Sequence, residues 1–151
     1  KTLPAWRPSI GARESTTRKV YIVDSGLLAH LLGADPKRLG EDERVTGMAL
    51  ENFVAMEVMK HLEWASTDAR LFHYRTGNDE IDLVLEDRSG AIACLEIKAA
   101  ATVRERDWRP MAKIRDARSE DFRAGFLIHA GAQTVPLGDR LWAVPISALW
   151  T

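Results

Sequence analysis

Two acidic side chains and one lysine lie on two neighbouring apolar segments, a setting in which charged groups need a counter-charge. Asp82 is in the middle of EIDLVLED, and Glu96 and Lys98 are in the following AIACLEIK. Two carboxylates that face each other across a sheet repel, and burial raises that cost unless one takes up a proton or a cation binds. Lys98 supplies one positive charge, whereas a divalent metal supplies two. Oxygen ligands suit Mg²⁺ or Mn²⁺ rather than zinc, and the four histidines show no paired zinc spacing.

The register of the two segments decides whether the acids meet. Side chains alternate along a strand, so Ile81 and Leu83 are predicted on one face and Asp82 on the other. The turn between the segments contains Gly90, which can adopt the left-handed conformation that closes a three-residue loop. Counting back from that loop places Asp82 opposite Glu96. A slip of one residue would put the charges on different faces.

An alternation of helices and strands must position this pair. Apolar residues at steps of three and four predict a helix over 46–63, with Glu51 on the flank of its apolar stripe. The predicted elements after it are strands at about 71–75, 80–87 and 91–98, a helix from Pro110 to about 118, and a buried strand at 124–130. The order helix, three strands, helix, strand predicts an α/β (α+β) domain with a mixed central sheet.

Shorter elements are predicted outside this core. KVYIVD (19–24) reads as a strand, the following SGLLAHLLG as a capped helix, 34–45 as a charged loop and 140–147 as a final strand. Residues 1–18 are rich in Pro, Gly, Ser and Thr, which predicts a linker or arm ahead of a single domain over 19–151. The basic character of this arm comes from Arg7, Arg13, Arg18 and Lys19.

The composition narrows the class of protein. The chain has 151 residues, 46% of them apolar, with 21 Lys and Arg against 22 Asp and Glu. It is therefore long enough for one domain with a real core, and its overall charge argues neither for nor against nucleic acid. The single cysteine, Cys94, excludes an internal disulfide and is predicted to be a small buried thiol. The apolar runs are too short to span a membrane, so no membrane partner is expected. Together with the single cysteine, this predicts a cytoplasmic protein.

The residues singled out above resemble a known nuclease pattern. Asp82, a hydrophobic strand and then Glu96-Ile97-Lys98, after a helix carrying Glu51, look like the PD-(D/E)XK superfamily with its restriction-endonuclease-like fold. The order of elements over roughly 46–130 matches the core of that superfamily. Ala99 and Ala100 follow the lysine where small polar residues are common, which removes possible hydrogen-bond donors near the phosphate.

This resemblance implies a function and assigns roles. It implies cleavage of phosphodiester bonds in nucleic acid, DNA in preference to RNA, with Mg²⁺ or Mn²⁺ as cofactor. Lys98 would orient or stabilise the attacking hydroxide. The implied catalytic residues are Glu51, Asp82, Glu96 and Lys98, and the implied metal ligands are Asp82, Glu96, Ile97 and Glu51.

A narrower resemblance covers nearly the whole chain. KVYIVDSGLLAHLLG, GMALENFVAMEV, YRTGNDEIDLVLE and CLEIKAA are similar to the C-terminal domain, of unassigned function, of a prokaryotic family of AAA-type ATPases. In that family an ATPase module and a winged-helix segment precede the domain, so residues 1–18 would be the end of the connection. The chain has no GxxxxGK[ST] loop, so ATP hydrolysis is expected of the upstream module and not of this chain.

Two other interpretations of the same residues stay open. In the first, Lys98 forms an ion pair with Glu96 or Glu80 on a solvated sheet face, Asp82 is exposed and Glu51 is a surface charge at a helix start. In the second, the fold is catalytically silent and serves as a DNA-binding or ATPase-interaction module.

Overall fold

The computed structural model describes residues 1–7 and 17–150, and a six-stranded mixed sheet organises them. The elements before this sheet are the strands β1 (Thr2–Leu3) and β2 (Lys19–Val20) and the helices α1 (Ser25–Leu31), α2 (Pro36–Glu41) and α3 (Glu43–Trp64). The elements that follow are β3 (Ala69–Thr76), β4 (Asp79–Asp87), β5 (Ile92–Lys98), α4 (Glu105–Ala117), β6 (Phe122–His129), β7 (Val135–Gly138), β8 (Leu141–Pro145) and a 3₁₀ helix, Ile146–Trp150.

The strand order of the main sheet is β3-β4-β5-β6-β8-β7. The pairs β5–β6 and β6–β8 are parallel, and the other neighbours are antiparallel. A parallel pair needs a crossover, and α4 supplies the one between β5 and β6. The prediction of a mixed α/β domain is therefore confirmed.

Two apolar clusters lie on the two faces of this sheet. One cluster joins α3 to Leu83, Leu95 and Ile97 of the sheet. The other joins Met111 and Ile114 of α4 to the opposite face. The apolar stripe on α3 thus forms a layer on one side of the sheet and α4 forms the layer on the other, because each helix buries its one apolar face.

The first residues of the chain lie against the edge of the sheet. Leu3, Ala5 and Trp6 are each 2% exposed, and the N–H of Trp6 donates to the carbonyl of His73 at 2.6 Å. β1 also pairs with β2, which brings Lys19 beside Leu3. Of the predicted linker over 1–18, residues 8–16, with Arg13 among them, lie outside the described residues.

A β-bulge corrects the predicted face of one residue. Phe72 pairs with Val84 and Tyr74 with Ile81, so β4 has one more residue than β3 between these two pairs. This bulge reverses the alternation, and Ile81 packs in the cluster beneath α4 instead of with Leu83 beneath α3. The prediction that Ile81 and Leu83 share a face is wrong for this reason.

Capping residues account for one helix that was not predicted and for another that begins earlier than predicted. The segment 34–45, predicted as a loop, contains α2, whose start is capped by the Asp35 carboxylate accepting from Arg38 N–H at 2.7 Å. α4 begins at Glu105 and not at Pro110, since Asp107 accepts the N–H of Arg104 at 2.9 Å and caps the earlier turn. None of the helices in the described ranges is long and apolar enough to span a membrane.

The strands at the two ends of the chain also differ. The predicted strand 19–24 is limited to Lys19–Val20, and the predicted strand 140–147 is limited to Leu141–Pro145. No strand is predicted where β7 lies, and its Pro136 and Gly138 are residues that seldom occur in the middle of a sheet. β7 is at the edge of the sheet, where a proline costs no ladder hydrogen bond.

Cys94 lies in the middle of β5 with no exposed surface. Burial raises the pKa of its thiol to about 12. The expectation of a small buried thiol is confirmed, and Cys94 is no nucleophile because only the thiolate reacts.

Candidate functional site

A cleft of about 850 Å³ opens where the start of β4 meets the end of β5, between α3 and α4. Its lining includes Glu51 of α3, Glu80 and Asp82 of β4, and Glu96, Ile97 and Lys98 of β5. The five residues that the resemblance assigns to the site therefore line one cleft. The wall formed by α4 adds Arg106 and Arg109, both exposed.

The hairpin of β4 and β5 brings the two acids together in the predicted register. Leu83 pairs with Leu95, and Gly90 in the turn has a φ of 86°, the left-handed conformation that the loop requires. On the Asp82 side of the Leu83–Leu95 pair, the two strands are joined by hydrogen bonds from backbone N–H groups to the two carboxylates. The N–H of Asp82 donates to Glu96 Oε2 at 3.3 Å, and the N–H of Ile97 donates to Asp82 Oδ2 at 2.9 Å.

Both acids are buried, which contradicts part of the first interpretation, that of a solvated sheet face. Asp82 and Glu96 are each 7% exposed. Lys98 does form the expected ion pair with Glu96, at 2.7 Å from Nζ to Oε1, and its side chain stays 37% exposed toward the cleft. The ion pair is thus present, but the solvated face with an exposed Asp82 is wrong.

A second lysine, Lys19, predicted at the start of a short strand and in the basic arm but not in the site, lies among the acids. Lys19 Nζ lies 2.7 Å from Glu51 Oε1, 2.9 Å from Asp82 Oδ1 and 3.4 Å from Glu80 Oε1. Its position follows from the pairing of β1 with β2. No spacing in the sequence signals this contact, because Lys19 is 63 residues from Asp82.

The segment after Lys19 is fastened to α3 beside Glu51. Tyr21 Oη donates to Glu51 Oε1 at 2.9 Å. The Asn52 side chain accepts from Ile22 N–H at 2.8 Å and donates to the Ile22 carbonyl at 2.9 Å. Asn52 is 4% exposed, so both bonds are made in the interior, where a polar group without a partner is costly. Glu51 is consequently a half-buried member of the cluster and not a free surface charge.

Burial and neighbouring charges shift the pKa values of several groups in the cluster. Burial raises the pKa of Asp82, although Lys19 opposes that shift. Burial and the neighbouring Asp82 raise the pKa of Glu96 to about 8. Burial lowers the pKa of Lys19, but the Asp82 and Glu51 carboxylates raise it by more. The net pKa lies above the usual value for lysine, so the ammonium stays charged. Buried carboxylates with raised pKa values mark a place where a cation would be stabilised.

The raised pKa of Glu96 predicts a pH dependence of stability in the absence of divalent metal. Between pH 4.5 and about pH 8, Glu96 keeps a proton in the folded protein, whereas the same carboxyl group loses it in the unfolded chain. The free energy of unfolding should therefore fall as the pH rises through this window, by at most about 1.4 kcal/mol per pH unit. Urea denaturation in EDTA at about pH 5 and about pH 8 measures this, and Glu96→Gln should flatten the slope. Stability that rises with pH over this range, in a manner that depends on Glu96, contradicts the expectation.

The donor chemistry of the cleft fits a hard divalent cation. No group of three or more His, Cys, Asp or Glu side chains is arranged to hold a metal among residues 1–7 and 17–150. Mg²⁺ does not need such a cage, because it is commonly held by one or two carboxylates together with waters and substrate phosphates. Asp82 and Glu96 supply two adjacent carboxylates. Ile97 offers only its backbone carbonyl, since its side chain packs beneath α3.

Comparison with known proteins gives a family but no described activity. Residues 46–149 match the family model described as "Domain of unknown function (DUF4143)". Uncharacterized proteins of Mycobacterium tuberculosis and Mycobacterium bovis are each 31% identical to the chain over 154 aligned residues. The alignments cover 100% of this chain and 32% of each relative, so the chain spans about a third of the length of the curated relatives it matches. No solved structure matches the chain at a significant level.

Proposed function

The chain belongs to the DUF4143 family, and from that premise and the geometry of its cleft we propose that it is a metal-dependent nuclease domain. In this proposal the domain has the restriction-endonuclease-like fold of the PD-(D/E)XK superfamily and cleaves phosphodiester bonds in nucleic acid, DNA in preference to RNA. Its cofactor is Mg²⁺ or Mn²⁺.

One observation carries the proposal. Two buried carboxylates, Asp82 and Glu96, lie side by side in an open cleft, and the ammonium of Lys98 lies 2.7 Å from the second of them. Burying two acids side by side destabilises a fold, and acids kept in such a place despite this cost are often found at catalytic or metal-binding sites. The helix, three strands, helix, strand order of α3 to β6 supports the fold assignment.

Each of these residues has a defined task in the proposed reaction. Asp82 and Glu96 would hold the metal ion, which when bound supplies a water of lowered pKa and neutralises charge on the phosphate. Lys98 lies beside Glu96 and reaches the solvent of the cleft, so its ammonium can donate to a phosphate oxygen as negative charge develops. The Lys19 ammonium contacts both Glu51 and Asp82, so Glu51 is joined to the two metal-holding acids through Lys19. Glu51 would assist the reaction from α3.

The proposal includes a partner in the same polypeptide. Domains of this family commonly lie at the C-termini of AAA-type ATPases, and the relatives are about three times as long as this chain. An upstream ATPase module and winged-helix segment would then present nucleic acid to the cleft.

Incubation of the protein with supercoiled plasmid tests the proposal. We expect nicked and linear products with Mg²⁺ or Mn²⁺ and none with EDTA. A Lys98→Ala variant purified in parallel should lose about 10²- to 10³-fold of the rate, the range seen when one stabilising donor is removed. Equal cutting by both proteins would identify a contaminating nuclease and remove the support for the proposal.

A second candidate function rests on Lys19. Its ammonium contacts Glu51, Glu80 and Asp82 and so meets part of the need for positive charge without a metal. That arrangement favours a catalytically silent module for DNA binding or for contact with the ATPase. Retention of DNA in EDTA without cutting in Mg²⁺ or Mn²⁺ is the result that would select it.

The nuclease and the silent DNA-binding module both predict that the α4 wall of the cleft contacts nucleic acid. Arg106 and Arg109 are exposed on this wall, opposite an acidic floor that repels phosphate. Replacing both by Ala should weaken binding of a DNA duplex about 10-fold and lower the slope of log affinity against log salt by about 2. Fluorescence anisotropy in EDTA measures both quantities.

The matched control for this prediction removes the same charge elsewhere. Arg70 and Arg123 are exposed and do not line the cleft. Replacing both by Ala should leave the DNA affinity nearly unchanged. If the two double variants lose affinity equally, the α4 wall is not the contact surface.

A further inference from the structure

We propose that Lys19 is a resident cation of the acidic cluster, and that a divalent metal binds Asp82 by displacing the Lys19 ammonium from it. The inference rests on the proposed function, because it concerns the same cleft. It adds a competitor for the metal within the chain itself. Lys19 neutralises the carboxylates when metal is absent, and it gives up Asp82 when metal binds.

The hydrogen bonds of Asp82 make the two cations competitors. Oδ2 of Asp82 accepts the N–H of Ile97, and Oδ1 accepts the ammonium of Lys19 at 2.9 Å. A metal ion that takes Oδ1 as a ligand would meet Lys19 Nζ at a distance where like charges repel strongly. Occupation of this oxygen by both cations is therefore unfavourable, and one must move.

The charge of the cluster favours the metal in this exchange. Four carboxylates, those of Glu51, Glu80, Asp82 and Glu96, face the two ammonium groups of Lys19 and Lys98. When all four carboxylates are ionised, two negative charges remain uncompensated, and a divalent ion can neutralise both.

Lys19 is placed so that it can leave Asp82. Its side chain is 21% exposed and contacts Asp82 of the cleft lining, and its charge is at the end of a flexible four-carbon stem. Glu80, whose side chain is 41% exposed, lies 3.4 Å from the same ammonium and offers a partner nearer to solvent. Rotation of the stem toward Glu80 would release Asp82 and keep an ion pair for the ammonium.

Mn²⁺ binding by a Lys19→Met variant tests the displacement. Methionine keeps most of the length of the stem and removes the charge, so the metal no longer has a competitor. We expect Mn²⁺, followed by the electron paramagnetic resonance signal of the free ion, to bind the variant about 10-fold more tightly than the unmodified protein. Lys113→Met is the matched control, because Lys113 pairs with Asp79 outside the cleft lining, at 2.6 Å. It should leave Mn²⁺ affinity unchanged.

Thermal denaturation provides a second readout that does not depend on catalysis. In EDTA the Lys19→Met variant should unfold at a lower temperature than the unmodified protein, since its carboxylates lack their counter-charge. Addition of Mn²⁺ should raise its unfolding temperature by more than that of the unmodified protein. A variant that folds only with Mn²⁺ present gives the same support. A variant that stays unfolded with Mn²⁺, or that binds Mn²⁺ no more tightly, overturns the displacement.

The outcomes separate this inference from the proposed nuclease. Tighter Mn²⁺ binding by Lys19→Met without cutting of plasmid by any variant would keep the displacement and refute the catalysis. Cutting by the unmodified protein with unchanged Mn²⁺ affinity in Lys19→Met would keep the catalysis and refute the displacement.

Discussion

Asp82→Asn should abolish the metal-dependent cleavage of DNA, lowering its rate by at least about 10³-fold. Loss of a single stabilising donor already costs roughly 10²- to 10³-fold, and this substitution removes a charged metal ligand. Asparagine has nearly the same shape as aspartate, and its side-chain oxygen can still accept the N–H of Ile97, a bond of 2.9 Å in the native protein. The backbone of the hairpin is therefore expected to keep its geometry. Initial rates of plasmid nicking at saturating Mg²⁺ measure the effect.

Asp79→Asn is the control for this experiment. Asp79 is three residues from Asp82 on the same strand and is half-buried, but it pairs with Lys113 and does not line the cleft. Its substitution should leave the rate within about 2-fold. Full activity of Asp82→Asn would mean that this carboxylate holds no catalytic metal, and the proposed function would then have to be given up.

Phe122→Ala should lower the free energy of unfolding by about 3–5 kcal/mol, the usual cost of removing a buried aromatic ring. Phe122 is 1% exposed and lies in the cluster beneath α4. The guanidinium of Arg140 lies over its ring at 5.6 Å and also donates to its backbone carbonyl at 2.5 Å. The ring also fills space beside Gly125, where a Cβ atom would come within 3.2 Å of it. Its loss would leave a cavity beside Gly125.

Urea denaturation followed by far-ultraviolet circular dichroism measures this loss. The adjacent Arg123 is exposed, so Arg123→Ala should change the free energy of unfolding by no more than about 0.5 kcal/mol. A loss below about 1 kcal/mol in Phe122→Ala would show that the cluster beneath α4 repacks around the missing ring.

The hairpin of the site could be predicted because its causes are local. Gly90 closes the turn in the left-handed conformation, and the N–H of Asp87 donates to the Ala91 carbonyl at 3.0 Å, as the three-residue loop requires. That loop and the alternation of apolar residues leave one register, in which Asp82 reaches Glu96. Local capping likewise explains α1, whose start is capped by the Asp24 carboxylate.

Other features were hidden because their signals are weak or compete. The bulge that moves Ile81 to the α4 side is one extra residue in β4, and no turn or breaker residue marks it. Pro110 is typical of the first position of a helix, but the cap from Asp107 extends α4 backward by five residues. That extension places Arg106 and Arg109 on the wall of the cleft.

The amino-acid sequence by itself determined the mixed α/β class and the pairing of Asp82 with Glu96, because periodicity and turn geometry act between residues close together in the chain. Only the tertiary structure decided what surrounds that pair. Lys19 reaches Asp82 across 63 residues, through the pairing of β1 with β2 and the attachment of Ile22 to Asn52. Contacts of this kind depend on how whole elements pack. The free energy of packing is spread over many side chains, so no single spacing in the sequence predicts it.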